Sequence, residues 1–400
     1  MIVNASKQIW AVSAVSLSSL RYRLGSATVI VTSMAGAVGV LVAVFGMASG
    51  LAHTFAATGH ADRAVVLRNG ANYEISSTLS PEAVEKIRSA PGIRHGADGE
   101  PLVAAEFLTI MNVLKADSGD RTSVSVRGST PELLRVRPEI KIVQGRMFRA
   151  GLREIVVGRL AESQFRGLAI GDRLRSPEGV WTVVGVFDSD GDMHASESIT
   201  DATTLLSAHH RTDYSSVTAT LDSGAALQKL RNALASDPTL NVEAVSEAAH
   251  YASQSRGMTG LLYFISYVVG ANMAVGALLA AFGAMHAATN MRLREIAVFR
   301  AIGFGTGGVV TSVLIEALLL AVLGGILGAT GAWLLFSGAA LSTLNGGAGV
   351  VSSQVVYQIN IRWELLATAV FLGCGIGLVG ASLPALRAAR LPVVTALQAR

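Results

Sequence analysis

One cysteine in 400 residues, Cys374, leaves no disulfide to hold any part of the chain together. Charge is scarce as well: Asp, Glu, Lys and Arg make up 15% of the residues against 51% hydrophobic, with a mean hydropathy of +0.48. That composition excludes an ordinary soluble domain and a disordered chain. No Gly-x-x-x-x-Gly-Lys-Ser/Thr motif occurs, so the chain has no Walker loop with which to cradle nucleotide phosphates. With its cysteine inside an apolar run, a Cys–His nucleophile is excluded, and no Ser–His–Asp arrangement emerges.

What the sequence does hold is four apolar runs, at 27–51, 261–288, 309–336 and 365–383. Each is near or above the roughly 20 residues needed to cross a bilayer. Between the first two lie about 205 residues of ordinary globular composition. From Leu51 to Arg256 there are 22 basic and 25 acidic side chains, leaving 10 basic and 3 acidic elsewhere. The basic pI of 9.4 therefore belongs to the membrane flanks and does not signal nucleic acid. Lys7, Arg21 and Arg23 precede the first run, Arg292, Arg294 and Arg300 separate the second from the third, and Arg387, Arg390 and Arg400 follow the fourth. The positive-inside rule places these segments, and both termini, in the cytoplasm, with 52–256 and 337–361 on the other side, the periplasm if the organism is Gram-negative.

The expected fold is an α-helical membrane protein with four transmembrane helices and an α+β periplasmic domain of two lobes inserted between the first two. Its segments are an amphipathic cytoplasmic helix at 1–24, a span at 25–51, the outer domain at 52–256 and a span at 257–288. A cytoplasmic helix and turn at 289–308, a span at 309–336, a periplasmic hairpin at 337–362, a span at 363–384 and a cytoplasmic tail at 385–400 follow. Within the outer domain, Ser80 before Pro81 reads as a helix cap, Trp181–Phe187 as one arm of a hairpin turning at 177–179, and residues 145–155 as the meeting of the lobes. The stretch 247–260 has helical composition and runs directly into the second span, which makes it a candidate lever.

Several motifs have bland readings. Gly303, Gly305 and Gly308 match Gly-x-Gly-x-x-Gly, but a basic helix precedes them and a span follows, so a turn is expected rather than a dinucleotide site. Asp188, Asp190 and Asp192 lack the Gly and Glu of a calcium loop, since Met193 and Ile199 occupy those places; a solvated acidic loop is expected. His209 and His210 are adjacent on a helix and diverge. Glu316 is the acidic residue well inside an apolar run, expected to pair with a basic neighbour such as Arg300. Gly324 with Gly328, and Gly373 with Gly377, form Gly-x-x-x-Gly pairs that let helices approach closely. Four helices alone make a meagre conduit, which points to a dimer.

Arg294-Glu295-Ile296, Arg300-Ala301 and Gly303 are followed by Ile315-Glu316-Ala317-Leu318-Leu319 and Gly324-Gly325-x-x-Gly328. The chain closes on Leu383-Pro384-Ala385-x-Arg387-Ala388-Ala389-Arg390-Leu391, then Ala396-Leu397. The outer domain carries Gln144-Gly145-Arg146-x-Phe148, Glu154-Ile155-Val156-Val157-Gly158, Gly171-Asp172 and Val183-Val184-Gly185-Val186. Together these resemble the FtsX-like, MacB-type permease family of ABC transporters. The resemblance implies a non-enzymatic permease of the mechanotransmission type, with no cofactor of its own and ATP and magnesium on a partner. Partners would be two copies of a cytoplasmic ABC ATPase, a second permease in a homodimer or heterodimer, membrane lipids, and an adaptor with an outer-membrane channel; nucleic acid is not among them. About 26 residues precede the first span, so the ATPase is expected as a separate subunit, somewhat as in DevC-type exporters. The segment between the second and third spans would dock on it through Met291, Arg292, Arg294, Glu295, Val298, Phe299 and Arg300. Expected cargo is hydrophobic: a drug, lipid, lipoprotein or peptide. The alternative is an FtsX-like regulator of a cell-wall hydrolase that moves no solute.

Overall fold

A computed structural model of the chain describes residues 24–301, 305–345 and 353–390. The amphipathic helix expected over 1–24 lies, but for Leu24, outside these residues, as do Gly303 and the tail beyond 390. The helices are α1 (Leu24–Thr58), α2 (Pro81–Arg88), α3 (Leu133–Val136), α4 (Arg159–Gln164) and α5 (Ala202–Ala208). They continue with α6 (Ala226–Ser236), α7 (Glu247–Asn290), α8 (Leu293–Ala301), α9 (Thr306–Phe336) and α10 (Trp363–Arg390). The strands are β1 (Arg63–Arg68), β2 (Val103–Lys115), β3 (Arg121–Ser129), β4 (Lys141–Gly145), β5 (Glu154–Gly158), β6 (Phe165–Arg166) and β7 (Arg173–Ser176). After them come β8 (Gly179–Asp188), β9 (Ser198–Asp201), β10 (Ser216–Thr220), β11 (Val242–Ser246), β12 (Ala340–Asn345) and β13 (Ser353–Gln358).

Two compact units divide the chain. One holds the described residues of Met1–Ala48, Leu261–Gly338 and Asn360–Arg400, and the other holds Ser49–Gly260 with Ala339–Ile359. Helices α1, α7, α9 and α10 are long and apolar enough to cross a membrane. In the first unit they pack on small residues: Ala27 and Ala37 of α1, Ala277 and Ala281 of α7, Ala317 and Ala321 of α9, Ala381 and Ala385 of α10. The expected glycine pairs serve this packing. A Cβ on Gly324 would lie 2.6 Å from the Val31 carbonyl oxygen, on Gly328 2.2 Å from that of Ala35, on Gly373 2.8 Å from Val38, and on Gly377 2.6 Å from Ala321. All four therefore work inside one chain, and their support for a second copy falls away.

The second unit is built on one sheet in the order β11-β1-β10-β2-β3-β9-β5-β8-β4, with β6 beside β2 and β7 beside β8. Local chemistry explains its punctuation. Ser80 accepts a bond from the Ala83 amide at 3.3 Å, Pro81 opens α2, and Val84 and Ile87 turn inward. The β7–β8 hairpin closes at Ser176 and Gly179. Two cores lie against the sheet, one around Trp181, Val126, Ile155 and Leu205, the other around Val66, Ile87, Val217 and Leu230. They differ from the expected halves meeting at 145–155, because β10 and β11 lead the chain back to pair with β1 and β2.

The hairpin β12–β13 contributes to the first of these cores. Val356 is fully buried there, the Ser125 hydroxyl donates to that of Ser353 at 2.8 Å, and the Ser196 hydroxyl both donates to and accepts from the Val356 backbone. The sequence placed this hairpin on the same side as the domain, but not inside it.

Gly328→Ala in the full chain should lower thermal stability in detergent by about 1–3 kcal/mol through overpacking. Gly331→Ala, where a Cβ meets nothing within 4 Å, should not. Equal melting of the two variants would contradict the packing described.

Candidate functional site

The basic segment between the second and third apolar helices has an inner and an outer side. Arg292 is 8% exposed and donates through Nη1 to Glu316 Oε2 at 2.8 Å. Ile296 and Ala297 are buried, and Ile296 packs with Val309 and Ala388. Met291 in the turn, and Glu295 and Val298 on α8, are exposed, while the side chains of Arg294 and Phe299 lie outside the described ones. Glu316 thus has its cation, but from Arg292 rather than Arg300. Thr289 explains the switch: its carbonyl accepts from the Arg292 amide at 3.0 Å, in the turn that folds the chain back between α7 and α8. Arg300 is half-buried, and Gly305 caps α9.

In the second unit, charged residues gather where the alternation of a sheet leads one to expect apolar ones. Arg127 on β3 donates Nε and Nη2 to the two oxygens of Glu197 at 2.8 and 3.0 Å, and Nη1 to Glu74 and Glu106 at 2.6 and 2.9 Å. Arg137 donates to Glu247 at 2.5 Å and to the Thr218 hydroxyl at 3.2 Å. Arg63 bridges Glu139 at 2.7 Å and Glu247 at 3.3 Å. Ser216 and Tyr251 hydroxyls donate to Glu74, and Thr218 to Glu106. Three guanidiniums thus face five carboxylates, and two imidazoles adjoin the surplus: His194 Nδ1 lies 3.0 Å from Glu197, and His250 Nε2 3.7 Å from Glu74. Burial of this kind is tolerated only with such pairing.

Glu247, His250, Tyr251 and Gln254 are one face of the first turns of α7, spaced i, i+3, i+4, i+7. Sequence reasoning does not find the cluster; the one local trace of it is this polar face just before an apolar run. Beside it lies a cavity of about 40 Å³ walled by Glu74, Arg127, Glu197, Gln254 and Gln354, with room for a water or two.

The acids respond to their neighbours. Burial alone raises the Glu197 carboxyl, but the charges of Arg127 and then His194 outweigh it and bring it to about 2. Glu74 is likewise raised by burial and held well below the ordinary value by Arg127 and His250. Asp192 goes the other way, because burial dominates. It is not part of a solvated loop: 2% exposed, it accepts from the Ala195 amide at 3.2 Å and from the Ser189 hydroxyl, capping the turn Met193–Ser196. Asp188 pairs with Arg159 at 3.2 Å. His209 and His210 lie just past the end of α5 rather than on it: His209 lies against Phe107, and His210 takes φ +53.

The motif residues of the second unit have structural work. Arg146 clasps both oxygens of Glu154 at 2.5 and 2.6 Å. Gly145 at φ +72 and Gly185 let β4 and β8 approach where a Cβ on either would come within 2.4 Å of a backbone oxygen.

Glu197→Gln should cost roughly 3–5 kcal/mol by leaving Arg127 undercompensated. The folded pKa of Glu197 lies below its unfolded value, so its contribution is complete above about pH 4.5 and is lost as pH falls through about 2. Melting of the full chain should drop steeply between about pH 5 and 2, and less steeply in the variant. A flat profile in the parent protein would contradict this.

Comparison with known proteins agrees with the sequence motifs. The model of the MacB-like periplasmic core domain matches residues 27–237, and that of the FtsX-like permease C-terminal region matches residues 267–393. The uncharacterized ABC transporter permease YknZ of Bacillus subtilis is 26% identical over 145 residues, 36% of this chain and 34% of that protein. The match thus spans about a third of that relative's length. Among solved structures, the extracellular domain of the transporter YknZ from Gram-positive bacteria is similar at 14% identity and TM-score 0.35, over 46% of this chain and 99% of that one. The periplasmic region of MacB from Actinobacillus actinomycetemcomitans is similar at 13% identity and TM-score 0.37, over 50% and 94%. With the first family model alone matching more than half of its residues, the chain belongs to the FtsX/MacB-like family of ABC transporter permeases.

Proposed function

We propose that this permease carries motion from a partner ATPase to its outer domain, for export or extrusion of a hydrophobic substrate. The observation that supports it most is α7, a single helix of 44 residues. At 1.5 Å per residue it is about 66 Å long. Its first residue, Glu247, is held by Arg137 and Arg63, and its last, Asn290, leads through one turn into α8. In this reading a push on α8 from the cytoplasmic side is carried along this helix toward Glu247.

The exposed stripe of Met291, Glu295 and Val298 suits docking to the ATPase, whereas Arg292, locked on Glu316, serves as the anchor that makes α8 move with α9. ATP and magnesium belong to the partner in this reading. A second permease copy would sit against the open apolar face of α7, where Phe264, Tyr267 and Leu279 are exposed. Substrate need not pass between the spans, because the moving part is the outer domain, with an adaptor and outer-membrane channel beyond it.

Glu295→Arg, in full-length protein reconstituted with its ATPase, should reduce permease-stimulated ATP hydrolysis at least about tenfold, about 1.4 kcal/mol. Thermal melting should be unchanged. Full stimulation together with full ATPase binding would sink the docking assignment.

A further inference from the structure

Near their C-terminal ends, α7 and α10 enclose a space that the coupling reading does not use. The two helices touch closely at Gly380, where a Cβ would lie 2.9 Å from that of Ala281. About one to three turns further along each, His286, Thr289 and Asn290 of α7 and Arg387 and Arg390 of α10 line a cavity of about 510 Å³, with Leu293 of α8 as another wall. That volume falls within the roughly 300–1,000 Å³ of small-ligand sites. The His286 ring stacks on Phe282, with centroids 6.0 Å apart and planes 7° apart, which fixes the imidazole at the cavity wall.

The cations here have no counter-charge in the described chain. Outside 51–256 the sequence has three carboxylate side chains, Glu295, Glu316 and Glu364. Glu316 is bound to Arg292, Glu295 lies 4.0 Å from that same arginine, and Glu364 is at the opposite end of α10. No described carboxylate pairs with Arg387 or Arg390. Two planar guanidinium forks beside an imidazole and two neutral polar side chains are suited to a phosphate group.

An apolar stripe leads to the same place. Leu383 and Leu386, 56% and 43% exposed, each stand one turn before an arginine, and Val379, 59% exposed, stands one turn before Leu383. A soluble anion has no use for that stripe, while an amphiphile has. We propose that the cavity binds the phosphate headgroup of an anionic phospholipid, whose acyl chains lie along Val379, Leu383 and Leu386. The site rests on the membrane-spanning permease reading above, in which these helix ends meet the cytoplasmic leaflet, where basic pockets between helices recruit anionic lipids.

The test uses the full-length protein with its ATPase, equilibrated with equal amounts of phosphatidylglycerol and phosphatidylcholine, and counts retained lipid by native mass spectrometry. Phosphatidylglycerol should be enriched at least about fivefold. Arg387→Gln with Arg390→Gln should abolish the preference, and Arg387→Lys with Arg390→Lys, which keeps the charge, should retain much of it. Arg362→Gln, near the other end of α10, should leave it intact. The proposal is overturned by no preference in the parent protein, by an unchanged preference in the glutamine variant, or by loss in the lysine variant as complete as in the glutamine one. Displacement by millimolar inorganic phosphate would make it a free-anion site, and displacement on ATPase binding would make it a protein interface; either overturns it too. ATPase retention, scored in the same spectra, separates the two ideas: a retained ATPase with no lipid preference removes the lipid site alone, and an absent ATPase counts against the permease reading.

Discussion

Arg127 and Arg137 stay ionised inside the outer unit only because Glu74, Glu106, Glu197 and Glu247 close around them. A buried guanidinium without such partners is far more costly than one never buried. That condition ties together parts distant in sequence: the turn at Glu74, strands β2 and β3, the loop at Glu197, and the start of α7. Glu247 cannot leave its place without stranding Arg137 and loosening Arg63 at once. The start of α7 is therefore held to the sheet by buried ion pairs and hydrogen bonds.

Much of this was legible before any coordinates. Apolar runs report membrane helices because length and hydropathy suffice to define them, and Ser80 with Pro81 reports a helix start because the cap is a local interaction. The polarity of α8 was equally plain from its charges. The cluster was not, because Glu106 and Arg127 each look like solvent-facing residues of a strand until the β2–β3 pairing sets Glu106 against Ser129, two places beyond Arg127. Asp192 was misjudged for a related reason: three acids within five residues look solvated, yet one of them is folded inward to cap a turn. For Glu316 the sequence offers a basic neighbour such as Arg300, whereas the reversal after Thr289 brings Arg292 to it.

The glycine pairs teach the same lesson in the membrane unit. A Gly-x-x-x-Gly spacing states that another backbone comes close, not whose backbone it is. Here Val31, Met34, Ala35, Val38 and Ala321 of the same chain occupy those grooves.

The hairpin β12–β13 has a consequence for biogenesis. Val356 completes a core whose other members lie between Phe107 and Ala208, and it is translated only after two further apolar helices, α7 and α9, have been made. That core is complete only with chain some 150 residues further on. Its final closure is a long-range contact of the slowest kind.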